Sequence, residues 1–186
     1  MSLRIIAGAL KGKKLYSVEG TKTRPTSDRV REAIFNIISM RIGGAEVLDL
    51  FAGTGAYGLE ALSRGAGRAV FADVDRDAIL TLKRNIQACR LQAKTKIFQW
   101  DIKKSLNRLK TIAPAFNLVF MDPPYDQNLI RPGLENLLAC ECLAKGACIV
   151  IEHGSRESLP ESQDLIQLTD QRRYGKTIVS FFAYML

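Results

Sequence analysis

The stretch from Val47 to Gly58, VLDLFAGTGAYG, limits what this chain can fold into more than any other. Apolar Val47, Leu48 and Leu50 surround a lone acid, Asp49, and glycines follow at 53, 55 and 58 in the spacing Gly-x-Gly-x-x-Gly. Such a run reads as a buried parallel strand entering a tight turn and then a helix. Glycine permits backbone angles and close approaches that a Cβ obstructs. The helix expected from near Ala56 turns free N–H groups toward the turn, so an anionic or strongly hydrogen-bonding ligand belongs there.

The rest of the chain repeats the alternation. Strands are predicted at Glu46–Phe51, Arg68–Asp73, Thr95–Gln99, Asn117–Met121 and Ala147–Glu152. Helices are predicted from Ser27 to the Gly43-Gly44 stop, from Ala56 to Arg64, at Arg76–Cys89, at Ile102–Lys110 and within Ile130–Cys140, with loop or weak helix over 154–163. Leu165–Arg173 and Thr177–Tyr184 read as an antiparallel pair joined at Tyr174-Gly175-Lys176. The expected fold is α/β: a doubly wound, seven-stranded, mostly parallel Rossmann-like sheet with an antiparallel C-terminal hairpin. Ahead of it, Leu3–Ala7 and Lys14–Val18 read as a small β-hairpin whose GALKGKK connection is a flexible basic tip. Residues 1–20 are thus expected to be a basic extension, and 21–186 the main domain. At 186 residues and 47% hydrophobic, the chain has enough apolar surface for one good core.

Charge is unevenly placed. Net charge is +8, and the first 31 residues hold eight basic side chains against two acids. A basic end on a near-neutral body suggests a polyanionic partner, with Arg4, Lys11, Lys13 and Lys14 as candidate phosphate contacts. Arg172, Arg173 and Lys176 form a second cluster at the C-terminal hairpin turn. No apolar run is long enough to span a bilayer, and the short MSLRIIAGAL start is weak as a signal peptide, so a cytoplasmic protein without a membrane partner is expected. Cys89, Cys140, Cys142 and Cys148 lack the spacing of a zinc site, and His153 is the sole histidine. Reduced, buried cysteines and no metal are expected. Helices cover the sheet, so a monomer is expected.

The ligand follows from the acids around the turn. Gly53, Gly55 and Gly58 match a dinucleotide fingerprint, and Asp73 lies at the end of the second strand, where a ribose acceptor belongs. Asp49, however, would repel a pyrophosphate and suits an ammonium group. S-adenosylmethionine meets both demands. Asp49 would face its amino group. The Gly53–Gly55 turn would hold its carboxylate and ribose, and Asp73 the ribose hydroxyls. Asp101, with Ile102 beside it, would serve the adenine, and Phe51 and Val74 the apolar walls. Asp101 also suits a helix cap.

Asp122-Pro123-Pro124-Tyr125 ends the fourth strand beside the same crevice. The Asp122 carboxylate and the Pro123 carbonyl can each accept one N–H of a planar exocyclic amine. Fixed acceptors favour pyramidalisation and raise lone-pair density on a poor nucleophile, and Asp122 can take part of the departing proton. Tyr125 can stack on the base. Such a base must be unpaired or flipped.

The sequence resembles the RsmD family of bacterial 16S ribosomal RNA guanine-N2 methyltransferases, within the class I S-adenosylmethionine-dependent methyltransferases. The resemblance rests on RIIAGALKGKKL at 4–15, TRPTSDRVREAIFNII at 23–38, DLFAGTGAYGLEALSRGA at 49–66, DVDRD at 73–77, FMDPPY at 120–125 and RRYGKT at 172–177. It implies methylation of a guanine N2 amine in 16S RNA of the small subunit or its assembly intermediate, with no role for DNA. It also implies RNA contact through the basic N-terminus, and an Arg24-Pro25-Thr26 segment closing over the cofactor. Four other readings fit less well. A DNA or RNA adenine-N6 methyltransferase shares Asp-Pro-Pro-Tyr, but the DNA enzymes usually need a larger target-recognition domain. A protein glutamine methyltransferase has less use for the basic end. A nicotinamide oxidoreductase leaves Asp49 and Asp122 unexplained. A non-catalytic RNA-binding module would be indifferent to loss of cofactor.

Overall fold

Strands that are apolar on both faces need helices on both faces. Val47, Leu48 and Leu50 are all fully buried, and so are Leu118 and Val119. A computed structural model of the chain describes residues 3–18, 27–101, 104–112, 115–157, 159 and 165–186. Its seven strands are β1 (Glu46–Leu50), β2 (Arg68–Asp73), β3 (Thr95–Gln99), β4 (Phe116–Met121), β5 (Leu143–Gly154), β6 (Ile166–Tyr174) and β7 (Thr177–Tyr184). They lie in the order β3-β2-β1-β4-β5-β7-β6. The first five run parallel, and β7 is antiparallel to both β5 and β6. The predicted sheet is the one observed.

Helices α1 (Asp28–Ile37), α2 (Ala56–Ser63) and α3 (Arg76–Cys89) share one core with the N-terminal segment. Helix α4 (Ile130–Ala139) and the turn around Leu106 and Leu109 fill the other face. Ser27 caps α1, accepting from the Val30 N–H, and Asp75 caps α3. All four cysteines are buried and free. Among the described residues, no helix is long and apolar enough to cross a membrane.

Several expectations need correcting. Strand β1 stops at Leu50, because Phe51 takes a left-handed backbone, φ 61°. Strand β5 begins earlier than expected, with Leu143 pairing to Phe116 ahead of a register shift. The helix expected over Ile102–Lys110 is absent from the described part of that range except for a 3₁₀ turn at Asn107–Thr111. Ser105 accepts from the Asn107 N–H, so a side chain competes with the helical ladder there. Leu106 and Leu109, three apart, are the apolar pair buried in that segment, a spacing that one 3₁₀ turn serves.

The basic tip is not free. The hairpin is reduced to a single bridge, Arg4 to Lys14, but Leu3, Ile5 and Leu15 enter the core. The buried Glu60 of α2 accepts from the N–H groups of Ile6 (2.7 Å) and Ala7 (3.0 Å), and from Arg64 (2.7 Å). Ser63 accepts from the Leu10 N–H and donates to the Ala7 carbonyl. A buried carboxylate needs such donors, and the N-terminal backbone supplies them. Gly8 sits here at φ 81°, where a Cβ would stand 1.9 Å from the Ser63 oxygen. Gly8→Ala is therefore expected to lower the melting temperature by about 5–10 °C. Gly12→Ala, with φ 83° but open space around it, should cost only the backbone strain of about 1–2 kcal/mol. Thermal melts of both variants separate docking from strain. Equal losses would show that the tip is not held.

Candidate active site

The sheet reverses its winding between β1 and β4, so a crevice opens at their carboxyl ends. The turn after β1 forms one wall. Gly55 holds φ 80°, and a Cβ on it would meet Leu82 of α3 at 2.3 Å. Gly58 needs its missing Cβ for another reason, since the Phe71 ring occupies that space. Much of the turn's hydrogen bonding is internal. The Gly53 N–H donates to Asp73 (2.7 Å), Gly55 to the Ala52 carbonyl (2.7 Å) and Gly58 to Asp49 (2.9 Å). The Thr54 and Ala56 N–H groups make no hydrogen bond among the described residues, which leaves them as donors for a ligand.

Asp49 is 2% exposed and ends up beside α2's first turn. Burial pushes its carboxyl up to about 8, the Gly58 N–H opposes this, and the neighbouring Asp73 charge adds to it. At neutral pH it is mostly protonated, a poor arrangement unless a cation comes to meet it. Asp73 closes β2 and also accepts from the Asp75 N–H (2.9 Å). Its carboxyl is raised as well, chiefly by burial, with its backbone hydrogen bonds opposing. Phe51 packs against the second core, and Val74 is 61% exposed. Asp101 follows Trp100, whose N–H donates to the Asp73 carbonyl, so the ends of β2 and β3 meet here. An S-adenosylmethionine site fits these residues: a buried acid suited to an ammonium, two spare backbone donors and an acid at the ribose position. Arg24, Thr26 and Ile102, expected at the cofactor, lie outside the described residues.

The opposite wall is the segment after β4. Met121 pairs with Leu50 on one side and Ile151 on the other. Asp122 therefore leaves the sheet level with Phe51 and Glu152. Asp122 is part-exposed, Pro123 buried and Tyr125 38% exposed. The Tyr125 hydroxyl donates to Glu152 (3.1 Å) and shares a hydrogen bond with Thr177 (3.1 Å). Burial raises its phenol well above the ordinary value, with the Glu152 and Asp122 charges adding to this and the Thr177 bond opposing, so it stays neutral. A neutral phenol suits contact rather than proton abstraction.

Residues that sequence reasoning missed connect these walls. Tyr57 of α2 stacks on Phe120 of β4 (4.9 Å between centroids, 19° between planes) and donates to Glu152 (2.6 Å). Asn85 of α3 binds the Tyr16 backbone and the Thr54 carbonyl, joining the N-terminal segment to the glycine turn. Glu152 did carry one signal, an acid ending the apolar run Cys148–Ile151. Among the described residues, no three His, Cys, Asp or Glu side chains gather as a metal site. His153 is engaged by Ser180 and the Gly154 carbonyl.

The basic residues fall on two surfaces. Thr177 pairs with Gly154 and touches Tyr125, so the turn bearing Arg172, Arg173 and Lys176 stands beside the crevice. Arg172 pairs with Asp170 (3.0 Å), and Arg173 donates to the Gly175 carbonyl. Lys11, Lys13 and Lys14 are exposed on the N-terminal segment, whose Ala9 and Leu10 bond to Ser63 at the far end of α2. Arg4 bridges to Asp28 (3.1 Å). Arg84 of α3 lies 3.5 Å over the Tyr16 ring and extends this second surface.

Known proteins share this architecture along the whole chain. A family model described as "Conserved hypothetical protein 95" matches residues 3–183. The ribosomal RNA small subunit methyltransferase D of Haemophilus influenzae is 36% identical over 171 residues, 89% of this chain and 86% of its own. YlbH of Bacillus subtilis is 37% identical over 180 residues, 97% of this chain and 98% of its own. The solved structure of yhhF from Escherichia coli has a TM-score of 0.83 at 31% identity, covering 100% of this chain and 99% of that one. With β7 reversed against β5 and a glycine turn opening on the β1–β4 crevice, the fold is that of the class I, S-adenosylmethionine-dependent methyltransferases. Within that class, the chain belongs to the ribosomal RNA small subunit methyltransferase D family.

Proposed function

We propose that the chain methylates the exocyclic N2 amine of a guanine in 16S ribosomal RNA, acting as a cytoplasmic monomer on the small subunit or its assembly intermediate. The observation that carries this reading is the pairing of Met121 with Leu50, which sets Asp122 directly across from the glycine turn.

S-adenosylmethionine, when bound, supplies an electrophilic methyl group. Asp49 would meet its amino group, Thr54 and Ala56 would donate to its carboxylate, and Asp73 would accept from its ribose. Asp101 would border the adenine, and Phe51 and Val74 the apolar edges; Ile102, Arg24 and Thr26, the other candidates for this ligand, lie outside the described residues. Asp122 and the Pro123 carbonyl accept the two N–H bonds of the guanine amine. Its lone pair is drawn out of conjugation, and Asp122 would receive a proton as the amine gains the methyl group and the sulfonium S–C bond breaks, its electron pair staying on sulfur as the neutral thioether leaves. Tyr125, held by its hydroxyl, offers its ring to the base.

Methyl transfer from labelled S-adenosylmethionine should be followed in parallel on small subunits, naked 16S RNA, DNA and protein. Label confined to the small subunit or its RNA is expected. Label in DNA or protein instead would overturn the assignment.

The exposed lysines and arginines supply RNA affinity. Neutralising Lys11, Lys13 and Lys14 together should weaken RNA binding and make its log–log salt dependence shallower by about 2 to 3. Neutralising Arg172, Arg173 and Lys176 should remove RNA protection nearest the methylated base. S-adenosylmethionine affinity should be unchanged in both, and parent-like salt slopes and footprints would count against these surfaces.

A further inference from the structure

Between the two walls of the crevice lies a buried acid that no step above uses. Glu152, 5% exposed, ends the parallel part of the sheet two residues before Gly154. Each of its oxygens takes a tyrosine hydroxyl, Oε2 from Tyr57 (2.6 Å) and Oε1 from Tyr125 (3.1 Å). Hydrogen bonds to a carboxylate are about twice as strong as neutral ones and more directional in a buried setting. Tyr57 is itself fixed, since its ring is stacked against Phe120 and it stands two residues past the turn glycine Gly55. Tyr125 is held chiefly through its hydroxyl. Its hydroxyl is tied down by Glu152 and Thr177, and its ring edge passes 3.5 Å from the place a Cβ on Gly154 would fill. Tyr125 as a whole stays 38% exposed.

We propose that Glu152 is a positioning residue, whose carboxylate sets the plane of the Tyr125 ring and registers it, through Tyr57, against the helix that begins at the cofactor turn. This rests on the reading of Asp122–Tyr125 as the grip on the target base. A base seated on a ring free to swing would present its amine to Asp122 in many poses, few of them reactive. Displacements of 1 Å can cost about 10²-fold in rate. Glutamine at 152 keeps the shape but has one acceptor oxygen for two hydroxyls, and its NH₂ must face the other tyrosine.

The test is a double-mutant cycle of Glu152→Gln and Tyr125→Phe, read by single-turnover methyl transfer across a range of RNA concentrations with saturating S-adenosylmethionine. Each single variant is expected to lower the saturated rate by about 10- to 100-fold. The double variant should be no slower than the worse single one, because both remove the same anchor. Cofactor affinity, titrated separately, should stay within about twofold, since the affected contact is on the target side. Tyr125→Phe should keep the parent melting temperature, which a purely structural role of the hydroxyl would not allow. Multiplying effects, or a parent-like rate in Tyr125→Phe, would overturn the proposal. The Tyr125→Phe result decides even if Glu152→Gln does not fold. Asp122→Ala in the same assay separates the two levels. If it alone is inactive, Glu152 is only structural. If it too is parent-like, the target-base assignment itself falls.

Discussion

Asp122→Ala is expected to lower single-turnover methyl transfer by roughly 10² to 10⁴ while leaving S-adenosylmethionine and RNA binding close to parent. The separation follows from geometry. Asp122 leaves β4 level with Phe51, but the contacts that build the cofactor wall belong to Asp49, Asp73 and the backbone of the turn. RNA affinity is assigned to surfaces bearing Lys11, Lys13, Lys14, Arg172, Arg173 and Lys176, all exposed. What the alanine removes is an acceptor whose value grows as the amine turns pyramidal and positive. Asp122→Asn should lose less, since one acceptor oxygen remains, though its NH₂ can face the wrong way and the offsetting charge is gone. The measurement is transfer with enzyme and cofactor saturating, beside an independent cofactor titration. Parent-like transfer in the alanine variant would refute the mechanism. Lost cofactor affinity with intact chemistry would move Asp122 to the cofactor wall.

Cofactor binding is expected to release close to one proton at pH 7, and its affinity to rise roughly tenfold per pH unit between about 6 and 7.5. The cause is Asp49, held near 8 in the free protein mainly by burial. An ammonium beside it restores the ionised form, so the proton must leave as the ligand arrives. The sign is therefore binding favoured by higher pH. The gain should level off near pH 8, where Asp49 is already ionised and a free α-amino group begins to lose its own proton. Stability of the free protein runs the other way. A carboxyl raised above its unfolded value contributes stability at low pH that is lost as pH climbs toward 8. Asp49→Asn should abolish the proton release, flatten that stability profile and weaken cofactor binding. Calorimetry in two buffers of different ionisation enthalpy measures the proton directly. A pH-independent affinity across this range would show that Asp49 does not meet the amino group.

Much of this architecture was legible in the residues. Strands β2, β3 and β7 and helix α3 have the bounds their apolar patterns suggest, because Gly or charged residues punctuate both ends of β2, β3 and α3 and the start of β7. The glycine spacing, Asp73 and Asp122 could be placed because each lies at the end of a strand whose neighbours were predictable. What stayed hidden has a common physical cause, pairing between side chains far apart in the chain. Glu152 and Tyr57 are separated by 95 residues, and nothing local to Ile-Glu-His marks the acid as a partner of two tyrosines. The crowding of donors around Glu60 is of the same kind. Around Leu106, the failure was one of period: Ser105 and Asn107 favour local bonds, and two buried leucines do not make a helix.

The staple between the N-terminal segment and α2 sets an order of events during synthesis. Ile6 waits for a carboxylate 54 positions downstream, and Tyr16 for an amide 69 positions downstream. Neither partner exists when the segment emerges, and chains are extended at about 5–20 residues per second. This segment is thus fixed only after β1, the glycine turn and most of α3 have been made. Until then Lys11, Lys13 and Lys14 ride on an unanchored, polycationic strand.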